Sequence, residues 1–361
     1  MSYKVLSLAD KEEWNKYLEL LPIDQQDVYY TPEYYELYEK NGDGKGQCFV
    51  FEKEGEIALY PFLINSVNEL GYDLDQDYYD IQGAYGYNGV VSSSYDEQFI
   101  KEFYNAFDNY FLNKNIIAEF TRFNPILENH IFESRFTPLY VLDNVLIDTS
   151  LDVDIIWRES FDNGVRKAVR KGIRNELMYE SYRGDELGDD LLNYFLKIYY
   201  STMDRNEAGD FYYFSEEYFS QMRLLLPQRI LFSFVKKDDK VISTELNLIN
   251  KSNSYGFLGG TIAEYYSISP NSFLRFELIK DLKNRGIKTY SIGGGMAKDD
   301  SVYKFKKSFS KNIDSKFFIG KKIHNEVIYN KVINQWKTIY NKKDDHKLLK
   351  YRNVESNSNE K

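Results

Sequence analysis

Apolar residues between positions 254 and 296 recur first with the period of a strand, then with that of a helix, and then again with that of a strand. Tyr255 and Phe257 alternate with small residues, which is typical of a strand in close contact with another backbone. Leucines at every fourth position then predict an amphipathic helix. A second strand ends at a glycine triplet, where a ligand can approach main-chain N–H and C=O groups closely. The positions that carry these patterns are Tyr255, Phe257, Leu258, Leu274, Leu278, Leu282, Ile287, Tyr290, Ile292 and Gly293 to Gly295.

The same order of elements occurs in the N-terminal half of the chain. A glycine-rich stretch at 83–89 is followed by phenylalanines at every fourth position from Phe99 to Phe111, which predict a helix with a strong apolar face. Residues 116–123 predict the next strand, which ends before a proline. Two strand–helix–strand units indicate an internal duplication and a fold of the α/β (α+β) class, with mixed sheets flanked by helices.

The length of 361 residues favours two domains. We predict an N-terminal domain over 1–150, a C-terminal domain with the candidate site over 151–345, and a polar tail over 346–361, in which residues 351–361 are expected to be frayed. The first residues lack the apolar core of a signal peptide, and no apolar run reaches membrane-spanning length. We therefore expect a cytoplasmic protein without a transmembrane segment.

Charge and composition narrow the classes of partner. The formal net charge is −10 and the sequence pI is about 5.1, which argues against DNA and against tight non-specific binding of nucleic acid. The single cysteine, Cys48, excludes an internal disulfide, and three widely spaced histidines give no basis for a metal site. The 33 tyrosines suit a groove that binds sugars or peptides, although an AT-rich genome would raise the same count.

A basic helix is predicted at the start of the C-terminal domain. Arg166, Arg170 and Arg174 recur at every fourth position behind a cap at Asp162 or Asn163. The three arginines form either a solvated helix face or a face that binds a nucleotide, a phosphate or an RNA backbone.

Aromatic residues and cations alternate soon after the glycine triplet, in the stretch Tyr303-Lys304-Phe305-Lys306-Lys307. Such a segment can hold an anion or polarise a carbonyl group. If it is extended, Lys304 and Lys306 share one face and Phe305 lies on the other. The alternative is a pair of solvated lysines on an edge strand, where charge opposes aggregation.

Four motifs in this order carry a resemblance to a known family. They are Tyr-Gly-x-Leu-Gly-Gly from Tyr255, Lys-x-x-Gly from Lys283, Ile-Gly-Gly-Gly from Ile292, and Tyr-Lys-Phe-Lys-x-x-Phe from Tyr303. Together they resemble the C-terminal half of Fem-type transferases, which build peptidoglycan cross-bridges, and the similar acetyltransferase-like proteins encoded among polysaccharide genes. Both groups belong to the GNAT superfamily, so the resemblance implies tandem GNAT-like units.

The resemblance also implies roles for individual residues. Lys306, with Lys304 as the second candidate, matches a lysine that supports the carbonyl oxygen while negative charge develops on it. Arg205, in a Thr-x-x-Arg pattern, matches a substrate-contacting arginine, although an arginine at a helix end is also a common cap. Asn247 and Tyr255, on neighbouring predicted strands, either orient the acceptor or pack. The further candidates are Tyr303 and Gly294 for substrate binding, and Arg166, Arg170 and Arg174 for donor binding.

The donor is left open by the sequence. GNAT enzymes that bind CoA carry a glycine-containing loop whose amides hold the pyrophosphate, and residues 265–274 contain no glycine. Fem-type enzymes lack that loop as well and use aminoacyl-tRNA, but the long helical arm that some of them carry is absent here. We expect no tightly bound cofactor, and either a thioester donor, as acyl-CoA or an acyl carrier, or an aminoacyl-tRNA whose acceptor end contacts a small basic patch.

The expected function is transfer of an acyl or aminoacyl group to an amine of a cell-envelope precursor. The acceptor is expected to be a small-molecule or lipid-linked precursor: a nucleotide-amino-sugar, a polysaccharide or a peptidoglycan peptide. One alternative is a tRNA-dependent aminoacyltransferase of peptidoglycan bridge synthesis. The other is a GNAT-like protein that binds a glycan or peptide without catalysis.

Overall fold

The computed structural model describes residues 2–311, 313–341 and 347–354. The strands are, in chain order, β1 Ser2–Ser7, β2 Lys45–Lys53, β3 Glu56–Ser66, β4 Tyr79–Gln82, β5 Val91–Ser92, β6 Ile116–Arg122, β7 Leu139–Asp148, β8 Met178–Arg183, β9 Ile230–Lys237, β10 Lys240–Ile249, β11 Asn253–Thr261, β12 Thr289–Gly293 and β13 Asp314–Ile323. The helices are α1 Lys11–Leu20, α2 Pro32–Lys40, α3 Glu97–Asn113, α4 Val153–Ile155, α5 Asn163–Arg174, α6 Asp189–Arg205, α7 Glu216–Leu225, α8 Pro270–Asn284, α9 Ser301–Lys307 and α10 Glu326–Tyr340.

The chain divides into two compact units. The first comprises residues 1–25, 29–141 and 317–361, and the second comprises 26–28 and 142–316. The ranges drawn from the sequence, 1–150 and 151–345, differ from these units because the chain from residue 317 onward belongs to the first. The physical reason is that β13 pairs with β6 through residues 319–323, and Trp336 of α10 packs in one core cluster with Ile117.

The predicted polar tail, 346–361, is only partly described. Residue 346 and residues 355–361 lie outside the described residues. Within the tail, Tyr351 is buried and its hydroxyl donates a hydrogen bond of 2.8 Å to Asp80. The tail is therefore not frayed at this position, because burial of an aromatic ring stabilises even a stretch that is otherwise polar.

The second unit is a mixed sheet with helices on both faces. Its strand order is β7-β12-β11-β10-β9-β8, antiparallel except for the parallel pair β11 and β12, which α8 connects. Leu231 of β9 packs in one core cluster with Leu278 of α8, while the ring centre of Phe232 lies 5.0 Å from that of Phe195 in α6. Successive strand residues point to opposite faces, so α8 and α6 cover the two sides of the sheet.

The first unit repeats the same plan. Its strand order is β13-β6-β4-β3-β2-β1, again antiparallel except for the parallel pair β4 and β6, which α3 connects, with β5 added beside β3. The phenylalanines of α3 form its core with Phe49, Phe51 and Phe62 of the sheet. Apart from the added pair of β3 and β5, each strand pairing of one unit has its counterpart in the other, which confirms the predicted α/β class and the duplication.

The helices of the described residues are too short or too polar for a membrane. None of them has the length and the apolar character that are needed to cross a bilayer.

Candidate active site

The candidate active site of the second unit lies where two parallel strands separate. β11 and β12 pair across three residue pairs, the last of which joins Tyr255 to Ser291. Beyond that pair a cavity of about 330 Å³ opens beside residues 256–261 of β11. In the described part of the chain no strand pairs with this edge of β11 beyond Tyr255. Main-chain N–H and C=O groups of the edge are therefore available to a ligand.

Helix α6 forms a second wall because glycine lets it approach the sheet. A Cβ atom at position 260 would lie 2.4 Å from Thr202 Oγ1 and 2.7 Å from the carbonyl oxygen of Ile198. Any side chain there would push α6 away from β11. Gly260 of the sequence motif thus sets how closely α6 approaches β11 at the cavity, which Thr202 and Arg205 line.

The third wall comes from α9, which places Lys306 in the cavity. The helix begins behind Asp300, whose carboxylate accepts hydrogen bonds from the main-chain N–H groups of Tyr303 at 2.7 Å, Met296 at 2.6 Å and Ala297 at 3.0 Å. These bonds lower the pKa of Asp300 from its ordinary value and satisfy N–H groups at the helix start.

Residues 303–307 are not extended, so the condition under which Lys304 and Lys306 would share one face does not hold. The alternation of aromatic and basic residues fits a period of two, but the cap at Asp300 starts a helix instead. Residues two apart in a helix lie about 200° apart around its axis, so Lys304 and Lys306 do not share a face. Lys306 is half-buried and lines the cavity, whereas Lys304 is exposed and is not part of its lining.

A hydrogen bond fixes the amine of Lys306, and its surroundings disfavour the protonated form. Its Nζ atom donates a hydrogen bond of 2.8 Å to the carbonyl oxygen of Gly294. Burial and the nearby Arg275 guanidinium lower the pKa of Lys306 to about 8, against the opposing effect of Glu245 and Asp300. An amine with such a pKa can both carry and release a proton near neutral pH.

A buried polar cluster stands beside Lys306. Arg275 of α8 donates from Nη2 to Glu245 of β10 at 3.0 Å, and the Tyr290 hydroxyl donates to the other carboxylate oxygen. Glu245 and Arg275 are 7% and 8% exposed, and both line the cavity. Burial and the adjacent carboxylate raise the pKa of Tyr290 well above its ordinary value, so this hydroxyl stays protonated.

Three of the residues singled out from the sequence meet at this cavity. Lys306 and Arg205 line it, and Gly294 contributes the carbonyl oxygen that holds Lys306. The Arg205 guanidinium lies 5.3 Å from the centre of the Tyr266 ring, which also lines the cavity. Gly293 has φ +72°, so the glycine turn that presents the neighbouring carbonyl needs a residue without Cβ at that position.

Three other candidates lie outside the lining. Asn247 is buried and donates at 3.4 Å to Glu245, and Tyr255 is buried with its hydroxyl donating at 2.6 Å to Asp27. Burial raises the pKa of Tyr303 to about 12, together with the charge of Asp314, to which the Tyr303 hydroxyl donates at 3.5 Å. Their predicted roles in substrate binding stay predictions.

The three arginines of α5 are also away from the described lining of the cavity. The Arg166 guanidinium donates to the carbonyl oxygens of Trp157, Arg158 and Phe161. Arg170 lies 5.3 Å from the Trp157 ring centre, and Arg174 is exposed. Arg166 thus holds the turn that precedes its own helix, and the predicted donor-binding role of the three stays a prediction.

Sequence reasoning missed Glu245, Arg275 and Tyr290. The signal in the sequence was weak: Arg275 stands between Leu274 and Phe276, but Glu245 lies among the polar residues Ser243, Thr244 and Asn247. A charged side chain is almost never fully buried unless it is paired, so a charge between two apolar residues, as at Arg275, hints at a buried pair without naming its partner.

The turn between β11 and α8 replaces a glycine loop with a helical turn. Residues Ala263–Ile268 form a 3-10 helix, Ser269 has φ +60°, and α8 begins at Pro270. Asn271, in the first turn of α8, lines the cavity. The first N–H groups of a helix lack partners within it, so this end of the cavity offers donors to a polar ligand.

The arrangement suits attack of an amine on an activated acyl carbon. An open strand edge offers main-chain groups to the substrates, and Lys306 offers an amine that can bear charge as the carbonyl is attacked.

Comparison with known proteins agrees with this geometry. Residues 159–307 match the family model described as an acetyltransferase (GNAT) domain. The crystal structure of FemX matches with a TM-score of 0.66 at 14% sequence identity, covering 91% of this chain and 99% of that one. The C-terminal domain of a protein described as a lysylphosphatidylglycerol synthetase from Agrobacterium fabrum matches with a TM-score of 0.54 at 13% identity, covering 92% and 97%.

No curated protein matches the sequence. The structural likenesses show the fold, and the family model assigns the domain that contains Lys306 and the rest of the cavity lining. Residues 159–307 therefore form an acetyltransferase (GNAT) domain, which supports an acyltransferase, and the chain shares its fold with FemX.

Proposed function

We propose that this protein is an N-acyltransferase that moves an acyl or aminoacyl group onto an amine of a cell-envelope precursor. The observation that carries the proposal is the position of Lys306, whose half-buried amine lines the cavity between β11 and β12. In the reaction the acceptor nitrogen bonds to the acyl carbon while the bond from that carbon to the donor sulfur or oxygen breaks. Lys306 meets the charge that develops during this exchange.

The basic side chains and aromatic rings of the cavity lining favour an acceptor that carries negative charge. Arg275 is paired with Glu245, and Arg205 and Lys306 are the further basic groups of the lining. Phe257 and Tyr266 supply ring surface beside them. Nucleotide-amino-sugars and peptidoglycan peptides combine an amine with phosphate or carboxylate groups, and the Fem-type sequence resemblance supports the same class of acceptor.

A matrix of donors and acceptors tests the proposal. Acyl-CoA, acyl-carrier thioester and aminoacyl-tRNA are each incubated with nucleotide-amino-sugars, amino-sugar oligosaccharides and muropeptides, and mass spectrometry detects a new amide. We expect one donor and acceptor pair to give product with the wild-type protein. Product from aminoacyl-tRNA alone would identify the tRNA-dependent alternative. Acceptor binding without transfer from any donor would instead identify a non-catalytic glycan or peptide binder and overturn the proposal.

A further inference from the structure

The buried pair Arg275 and Glu245 is packed against the helix that carries Lys306. The Arg275 guanidinium lies 5.6 Å from the ring centre of Phe305 and 5.3 Å from that of Phe309. Phe305 precedes Lys306 in α9, so the same turn that contacts the guanidinium also points an amine into the cavity. The pair is thus fixed in position relative to this amine.

The positive charge of Arg275 is only partly compensated. Its Nη2 donates at 3.0 Å to Glu245, whereas Nε and Nη1 are buried without a hydrogen-bond partner among the described residues. The single carboxylate is shared, because it also accepts from the hydroxyl of Tyr290 and at 3.4 Å from Asn247. A guanidinium in this state acts on neighbouring charges through a poorly screening interior.

The charged and titratable groups around Lys306 come from several elements. Arg275 on α8 disfavours a second positive charge, and burial acts in the same direction more strongly; Glu245 on β10 and Asp300 before α9 favour that charge. Arg205 on α6 also lines the cavity, and Tyr290 on β12 contacts Glu245. Together these effects lower the pKa of Lys306 to about 8, against about 10.4 for a solvated lysine.

We propose that Arg275 and Glu245 are positioning residues that keep Lys306 ready to release and accept a proton, so that Lys306 takes the proton that the attacking amine loses. This inference rests on the proposed function for the reaction that it serves. As the acceptor nitrogen bonds to the acyl carbon, its proton passes to neutral Lys306 Nζ. The electron pair of the broken bond leaves with the donor sulfur or oxygen, and the Lys306 ammonium then returns the proton to that atom. In the neutral form of Lys306, which is the form that reacts, the charge therefore appears only as the reaction proceeds, and this favours the transition state over the bound substrate.

Chemical labelling of the intact protein tests the pair without any substrate. Acetic anhydride acetylates only neutral amines, so mass spectrometry of Lys306 over a pH series gives the midpoint of its titration, with exposed Lys304 as the internal standard. Arg275→Gln should raise the midpoint and Glu245→Gln should lower it, each by about one pH unit, since a neighbouring charge shifts a pKa by at least that amount. The double variant removes both charges, so its midpoint should lie between those of the single variants.

If Arg275→Gln does not fold, Arg275→Lys is measured instead. This variant retains a cation, so its Lys306 midpoint should stay near the wild-type value. Unchanged Lys306 midpoints in Arg275→Gln and Glu245→Gln, or shifts of both in the same direction, would overturn the inference.

Kinetics form a second test once a substrate pair is known. The rise of kcat with pH should follow the labelling midpoint in each variant. A lower rate with an unmoved pH profile would mean that Arg275 and Glu245 have a merely structural role. Shifted midpoints without acyl transfer would refute the proposed function alone, whereas transfer with unmoved midpoints would refute only the inference.

Discussion

Lys306 combines a partly buried position with a fixed hydrogen bond, and its charge matters most while the acyl carbon is attacked. Lys306→Met keeps the apolar stem and removes the amine, so we expect turnover to fall by roughly 100-fold or more while substrate binding changes little. Steady-state kinetics with the substrate pair found in the matrix would measure both quantities.

Lys304→Met is the matched control, because Lys304 lies in the same helix but is exposed and outside the cavity lining. It should retain near-normal turnover and fold normally, as expected for a surface substitution. If Lys304→Met lost activity and Lys306→Met kept it, the assignment of the lysine would be wrong. If both kept it, main-chain N–H groups would have to polarise the carbonyl.

Individual site residues could be predicted only where a motif marked them. Lys306 and Arg205 were reached through the resemblance, and the structure brings both to one cavity. Arg275 and Glu245 were missed because their partnership joins α8 to β10 across 30 positions of the chain. No local period relates such residues, so the pairing is a property of the folded sheet rather than of the sequence pattern.

At the scale of elements, the contact between α6 and β11 depends on Gly260. Gly260→Ala should lower the free energy of unfolding by about 1–3 kcal/mol, because the added methyl group meets the main-chain carbonyl of Ile198, which cannot move alone. Urea unfolding followed by circular dichroism would measure the change. Gly209→Ala is the control, since nothing lies within 4 Å of a Cβ there and its φ is −65°. Equal stability of the two variants would show that α6 moves away freely.

Most helices and strands follow from the sequence because their apolar period matches their final environment. The helix predicted from Phe99 to Phe111 is α3, and Asp162 caps α5 as one of the two predicted caps. Residues 303–307 are the exception, since α9 has no buried residue that could impose a helical period on the sequence. There the cap at Asp300 decides the conformation, and a side-chain cap is a weaker sequence signal than a long apolar stripe.

At the scale of the whole molecule, the two units differ at the point where their parallel strands end. In the first unit Asn88 bridges to β6: its N–H donates to the Arg122 carbonyl at 2.7 Å, and its side-chain oxygen accepts from the Arg122 N–H at 2.8 Å. The chain itself thus pairs with the end of β6 in the first unit, whereas β11 and β12 of the second unit separate beyond Tyr255 and Ser291. Duplication supplied two similar sheets, and the described cavity with Lys306 belongs to the second.

The first unit contains a buried ion cluster that contributes to stability rather than to the cavity. Arg135 donates to Glu119, Glu133 and Asp108 at 2.8–2.9 Å, and its side chain is 6% exposed. Arg135→Met leaves two buried carboxylates without their cation, so we expect a loss of about 3–5 kcal/mol in the free energy of unfolding. Denaturant titration would measure it, with exposed Lys45→Met as a control that should change little.

The same Arg135→Met variant should keep its turnover below its unfolding temperature, because every residue that lines the cavity with Lys306 belongs to the second unit. Loss of turnover in fully folded protein would contradict that expectation.

The distribution of charge over the molecule bears on the donor. Net charge is −10, and the guanidinium of Arg166 is bonded to main-chain carbonyl oxygens while Arg170 stacks on Trp157. Of the three arginines, only Arg174 is exposed without a described contact of its side chain, and Lys167 and Lys171 of the same helix are exposed as well. An RNA donor loses affinity with salt at a log–log slope of about 0.7–0.9 per phosphate neutralised. We favour a thioester donor, because hydrogen bonds that hold a small ligand release few counterions. We therefore expect donor affinity, measured between about 50 and 200 mM salt, to fall with a log–log slope well below the value for two phosphates. Arg174→Ala should then leave the slope unchanged; a steep slope that falls by close to one phosphate contact in this variant would instead identify an RNA donor on α5.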